Sequence, residues 1–203
     1  LAPDEALVLC CFNANYKISP QVFERWCAIL RAVPDSVLWL YEANVQASRN
    51  LLREAQAHGV DPARLVFAPF VAQQRHIARL RNADLFLDTL PYNAHTTASD
   101  ALWSGLPLVT CAGGTFASRV AASLLRAADM GELVTTSLDD YQALAIALAS
   151  DRPRLAALRA RLEAGRMTVP LFDSTAFARD LEALFARMAE RRRLGLAPDH
   201  LPA

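Results

Sequence analysis

The 203-residue chain sets 21 Lys and Arg against 21 Asp and Glu, for zero formal net charge, and 53% of its residues are hydrophobic. Such a balance leaves no basic footprint for nucleic acid, and the length suits one ordinary domain, or one lobe of a larger protein, with a substantial core. The longest apolar runs, such as residues 6–12, fall far short of the roughly 20 residues a membrane helix needs, so a soluble, cytoplasmic protein is expected.

Leu1-Ala2-Pro3-Asp4-Glu5 lacks a basic segment followed by an apolar core, so no signal peptide is expected; with no initiator Met, the sequence reads as starting inside a longer protein. Short apolar runs predict strands at residues 6–12, 36–41, 65–68, 84–88, 107–111 and 132–135, and their continuity predicts burial on both faces. Between them lie helical periods. Val22, Trp26, Ile29, Leu30 and Val33 follow Ser19-Pro20, where Ser suits the cap and Pro the first helical position. Leu51, Leu52 and Ala55 run to Gly59, Ile77 pairs with Leu80, and Ala101, Leu102 and Trp103 end at Gly105. Repeated β-α units imply an α/β fold, a doubly wound parallel sheet.

Helices should then cover 141–149 and 151–165, before an extended Val169-Pro170-Leu171-Phe172 and a last helix on which Phe177, Leu181, Leu184, Phe185 and Met188 share a face. That stripe needs either this sheet or another lobe to pack on. The division expected is a binding lobe over 1–170 and a C-terminal helix and tail over 171–203. Cys10, Cys11, Cys27 and Cys111 show no C-x-x-C spacing and read as reduced thiols, three of them within apolar patterns.

Candidate ligand groups fall at the carboxyl ends of strands, where open α/β sheets bind anions. Asn13-Ala14-Asn15-Tyr16-Lys17 follows the first strand; Lys17 would neutralise a phosphate, although an exposed lysine accounts for it as simply. His76 stands at the same edge, either against a base or on the surface. Pro91-Tyr92-Asn93-Ala94-His95-Thr96-Thr97 leads into a helix whose free N–H groups favour an anion. Thr97 and Asp100 have the T-x-x-D spacing of a capping box, an equally good structural account. Gly113-Gly114-Thr115, before Ser118 and Arg119, outlines a phosphate cradle without the spacing of a known nucleotide motif.

Phe12-Asn13 with Tyr16-Lys17-Ile18, Ser36-Val37-Leu38-Trp39-Leu40, Leu87-Asp88-Thr89, His95-Thr96-Thr97 with Asp100 and Leu102-Trp103, and Ala117-Ser118-Arg119-Val120-Ala121-Ala122-Ser123 are similar to the C-terminal catalytic lobe of O-linked N-acetylglucosamine transferases. The resemblance runs from about Leu7 to Met188. It implies one Rossmann-like lobe of a GT-B fold that binds UDP-GlcNAc for inverting transfer of GlcNAc to protein Ser or Thr hydroxyls. It further implies partners absent from this sequence: an N-terminal lobe with the catalytic His, and a tetratricopeptide region.

Carried over by position, the resemblance implies that Lys17 stabilises the departing UDP and that His95, Thr96 and Thr97 hold phosphate oxygens, without metal or cofactor. Asp100 would accept from the ribose, His76 lie against the uracil, Val71 offer backbone groups to the base edge, and Asn13 or Asn15 substitute for the Gln that animal members carry at Ala14. Those members also have Lys at Gln73 and Glu at Gly114. The alternatives are another GT-B UDP-sugar enzyme, such as an epimerase or a transferase of a different sugar, and a non-catalytic nucleotide-binding or interaction module.

Overall fold

The computed structural model describes residues 6–201; the stretch read above for a leader lies outside them. Six parallel strands, β1 (Leu7–Cys11), β2 (Ser36–Tyr41), β3 (Leu65–Ala68), β4 (Leu85–Leu87), β5 (Leu108–Cys111) and β6 (Val134–Thr135), form one sheet in the order β3-β2-β1-β4-β5-β6. Every residue of β4 and β5 is buried, as expected of strands covered on both faces.

Among the described residues eight α-helices complete the fold: α1 (Pro20–Ala32), α2 (Val45–Ala57), α3 (Gln73–Leu80), α4 (Thr96–Trp103), α5 (Val120–Ala127), α6 (Leu138–Ala149), α7 (Arg152–Gly165) and α8 (Ser174–Arg193). Right-handed crossovers place α1 and α2 on one face of the sheet. The order reverses after β3, so the same rule puts α4 and α5 on the other face. The carboxyl ends of β1 and β4 consequently diverge, and a crevice opens between the loops that follow them.

Local chemistry explains where the helices begin and end. The Ser19 hydroxyl accepts from Val22 N–H at 3.4 Å and donates to the Leu90 carbonyl at 2.9 Å, so the α1 cap also anchors the loop after β4. Asn44, Ser137, Asp151 and Asp173 cap α2, α6, α7 and α8 through side-chain oxygens. Gly59 and Gly105 take φ of +73° and +79° just past the ends of α2 and α4, backbone that a side chain would strain.

The core is continuous from α1 through the sheet to α5, α6 and α7. A polar thread begins at the fully buried Trp26, whose Nε1–H donates to the Tyr141 hydroxyl at 2.9 Å; that hydroxyl donates to the Asp88 carbonyl at 3.0 Å. All four cysteines are free and buried, and burial pushes each thiol above its ordinary range.

One expectation about the C-terminus changes, and one of two alternatives is left. Pro170–Phe172 forms a 3-10 turn rather than an extended segment, and Phe172 meets the Trp103 ring edge-on at 5.0 Å. Beyond it α8 buries none of its residues, and Phe177, Leu181, Phe185 and Met188 lie exposed. The helical period was right; the sheet already has its covering helices, so the stripe finds no surface on this lobe. Among the described residues no helix is long and apolar enough to cross a membrane.

Tyr141→Phe would strand both the Trp26 N–H and the Asp88 carbonyl in the core. The expected loss is about 1–3 kcal/mol of unfolding free energy, read as a lower urea midpoint at unchanged slope.

Candidate functional site

Asp88, the residue after β4, organises the crevice. Its carboxylate is buried and accepts four hydrogen bonds: Thr89 N–H at 2.7 Å, Ala94 N–H at 2.6 Å and Asn13 Nδ2–H at 3.3 Å on Oδ1, and Thr110 Oγ1–H at 2.6 Å on Oδ2. The two backbone N–H groups donating to this one side chain curl residues 88–94 into a compact loop, and the other two donors tie it to the β1 loop and to β5. Burial pushes the Asp88 carboxyl up to about 6, against the opposing pull of these donors.

Asn13, expected at the ligand, is buried and absent from the lining of the cleft that α4 borders. It is 2% exposed. Its Nδ2 also donates to Thr89 Oγ1 at 2.7 Å, and its Oδ1 accepts from Thr97 Oγ1 at 2.5 Å. Both ends of the amide bond the scaffold, so Asn13 holds the β1 loop to α4. The expected capping box is absent: α4 starts from His95 with no side-chain cap, which puts Thr97 inside the helix, where its Oγ1 bonds Asn13.

The start of α4 is open. The His95 carbonyl accepts from the N–H groups of Ala98 and Ser99, both at 3.1 Å, so the Thr96 and Thr97 N–H groups precede the helical ladder, at the positive end of the helix dipole. Beside them Lys17 Nζ donates to the Asn93 carbonyl at 3.0 Å and sits 3.8 Å from the centre of the Tyr92 ring. Among the described residues no carboxylate lies within ion-pair distance of Lys17. Burial lowers its amine from the ordinary lysine value, while Asp88 and Cys11 pull it upward. His95 places Nε2 3.3 Å from the Ala117 carbonyl, with its ring between those of Tyr92 and Phe116.

A cleft of about 510 Å³ runs from this helix start toward β2 and β3, lined by Phe12, Tyr41, Phe70, Val71, His76, Thr96, Thr97 and Asp100 among others. It therefore gathers five of the expected residues; Lys17 and His95 are not in its lining, His95 being the residue before Thr96 and Lys17 bonding the Asn93 carbonyl three residues before α4. His76 meets Phe12 edge-on at 5.3 Å and accepts from Arg79 Nε at 3.0 Å through Nδ1. The neutral ring thus carries its proton on Nε2. Burial and the Arg79 charge lower the His76 pKa, Asp100 opposing them, which favours that neutral form.

The Gly113 loop turns two of its amides on itself, Gly113 N–H donating to the Ser118 carbonyl at 2.8 Å and Thr115 N–H to Ser118 Oγ at 3.0 Å. A Cβ on Gly113 would come within 2.5 Å of that hydroxyl. Conversely, Asp88, Asn93, Tyr92 and Arg79 carry roles that pattern did not disclose. The one available signal was an acid closing an otherwise apolar strand at Asp88. Among the described residues no three His, Cys, Asp or Glu side chains gather as metal ligands would.

Sheet order and helix placement define a Rossmann-like α/β lobe. The profile described as Glycosyl transferase family 41 matches residues 1–181, and the chain belongs to that family. It is 39% identical over 199 residues to a UDP-N-acetylglucosamine–peptide N-acetylglucosaminyltransferase of Caenorhabditis elegans, covering 98% of this chain and 17% of the relative. A probable enzyme of the same name, SEC, from Arabidopsis thaliana is 37% identical, with 98% and 20% covered. A mutant O-GlcNAc transferase of Thermobaculum terrenum superposes with a TM-score of 0.86 at 34% identity, over 93% of this chain and 37% of that one. The chain thus spans about a fifth of the length of the curated relatives.

Asp88 gives the site a pH signature. Its folded carboxyl keeps a proton up to about pH 6, whereas the ordinary value is 3.8, so between these values the folded chain binds more protons than the unfolded one. Stability from this group is full below about pH 4, falls as pH rises to about 6, and is flat above, a change on the order of 3 kcal/mol. Urea midpoints across this range should show the advantage of the wild type over Asp88→Asn shrinking with rising pH. A difference that stays constant or grows would contradict the assignment.

Proposed function

We propose that this chain is the donor-binding lobe of an inverting transferase that moves GlcNAc from UDP-GlcNAc to Ser or Thr hydroxyls of proteins, as the names of its relatives suggest. One observation carries the reading: a nucleoside-sized cleft is lined by the uncapped start of α4, and Lys17, with no carboxylate in ion-pair distance among the described residues, bonds the Asn93 carbonyl three residues before that start. A diphosphate fits that arrangement. Its uridine would occupy the cleft, with His76 against the base, Val71 at the base edge and Asp100 toward the ribose. Lys17 and the amides of Thr96 and Thr97, with His95 beside them, would face the phosphates.

Such an arrangement favours the transition state over the bound donor, because negative charge grows on the departing diphosphate as the glycosidic bond breaks. Lys17 and the helix dipole supply the compensating charge, and the reading requires no metal. The group that deprotonates the acceptor belongs, on this reading, to an N-terminal lobe, with a tetratricopeptide region for protein substrates. The short coverage of the relatives supports this. The exposed stripe of α8 is the surface we assign to that lobe. Four buried free thiols suit a reducing, cytoplasmic setting.

Calorimetric titration of UDP into the chain and its Lys17→Ala variant, without metal, tests the site. Binding should weaken by about 1–3 kcal/mol, roughly fivefold to 150-fold, on loss of a charge-assisted contact. Equal affinity in the two proteins would remove Lys17 from the site.

A further inference from the structure

Lys17 is ordered from two directions, by the Asn93 carbonyl and by the Tyr92 ring. Asn93 is fixed in turn: its N–H donates to the Ala117 carbonyl at 2.9 Å and its Nδ2 to the Thr89 carbonyl at 2.7 Å. The Tyr92 ring is braced by Tyr16 at 6.2 Å and His95 at 5.1 Å. An ammonium has three N–H groups. With one on the carbonyl and the ring face attracting the cation, donor capacity remains for an outside anion.

The kind of contact matters. A carboxylate at the place of Tyr92 would order Lys17 equally well, but it would cancel the charge and compete with an incoming phosphate. A ring face orders the cation and lends it no counter-charge. The titratable groups facing Lys17 from the sheet, Asp88 and Cys11, are buried behind it and cannot follow a ligand.

We infer that Tyr92 is a positioning residue for the transfer reaction: its ring holds the Lys17 ammonium beside the start of α4 with its charge undiminished, ready for the diphosphate of the donor. The inference rests on the proposed function for the identity of the anion. The ordering of Lys17 stands on the ring geometry alone, and the two can be tested apart.

The first measurement is the side-chain NMR spectrum of Lys17 in the wild type, Tyr92→Phe and Tyr92→Leu. A ring held over the ammonium displaces the neighbouring methylene resonances. The displacement should survive in Tyr92→Phe and vanish in Tyr92→Leu. The second is calorimetric affinity for UDP and for uridine, which lacks the diphosphate. Tyr92→Leu should weaken UDP about threefold to thirtyfold, the span of a cation–π contact, and leave uridine unchanged; Tyr92→Phe should restore UDP to within about twofold. In the Lys17→Ala background Tyr92→Leu should have no further effect.

Lys17 resonances that Tyr92→Leu leaves unmoved would overturn the inference. So would equal weakening of UDP and uridine, the mark of a ring that merely packs the loop. If the wild type binds neither ligand while Tyr92→Leu still moves the Lys17 resonances, the ordering holds and the donor reading falls.

Discussion

A single buried carboxylate holds the crevice together. Asp88 is costly to bury as an anion, and four donors from three parts of the chain offset that cost. In accepting them it closes its own loop, docks the β1 loop through Asn13 and binds β5 through Thr110. Its main-chain carbonyl also receives the Tyr141 hydroxyl, and with it Trp26 of α1. The polar site on the rim and the apolar core beneath it are therefore joined at one residue.

The consequence for the site is rigidity where charge is needed. Asn13 is gripped by Asp88 and Thr89 on one side and by Thr97 on the other, so the lysine loop and the start of α4 move as one body. Binding energy from an anion would not be drawn off to order them. The nucleoside cleft is built on the same principle: Arg79 donates to the Pro69 carbonyl at 2.8 Å, lies over Phe12 and bonds His76, fixing a neutral ring in one tautomer.

Much of this was legible in the sequence because the sheet is parallel and buried. Its strands are apolar runs without interruption, its helices have period and caps, and Gly59 and Gly105 mark helix ends; only boundaries shifted, as when strand 84–88 shortened to Leu85–Leu87. Residue types and motif order placed Lys17, His76, Thr96, Thr97 and Asp100 on one rim. What pattern could not give was partnership. Thr97 and Asp100 have the spacing of a local cap, yet a residue 84 positions earlier takes the Thr97 hydroxyl. The Gly113 loop has the composition of a phosphate cradle, yet its own turn takes the amides of Gly113 and Thr115. An amphipathic stripe likewise states that a helix must pack, and it leaves open on what: that of α8 packs on nothing in this lobe.

The four buried thiols make the chain a reporter of its own opening. Cys27 lies in α1, Cys10 and Cys11 in β1 and Cys111 in β5, all free and all enclosed. A thiol reacts as thiolate from an accessible position, so in the closed lobe none of them meets a bulky alkylating reagent. Each reacts only when its own element is released, and the order in which the four are modified reads out which parts of the sheet open locally and which only with the whole.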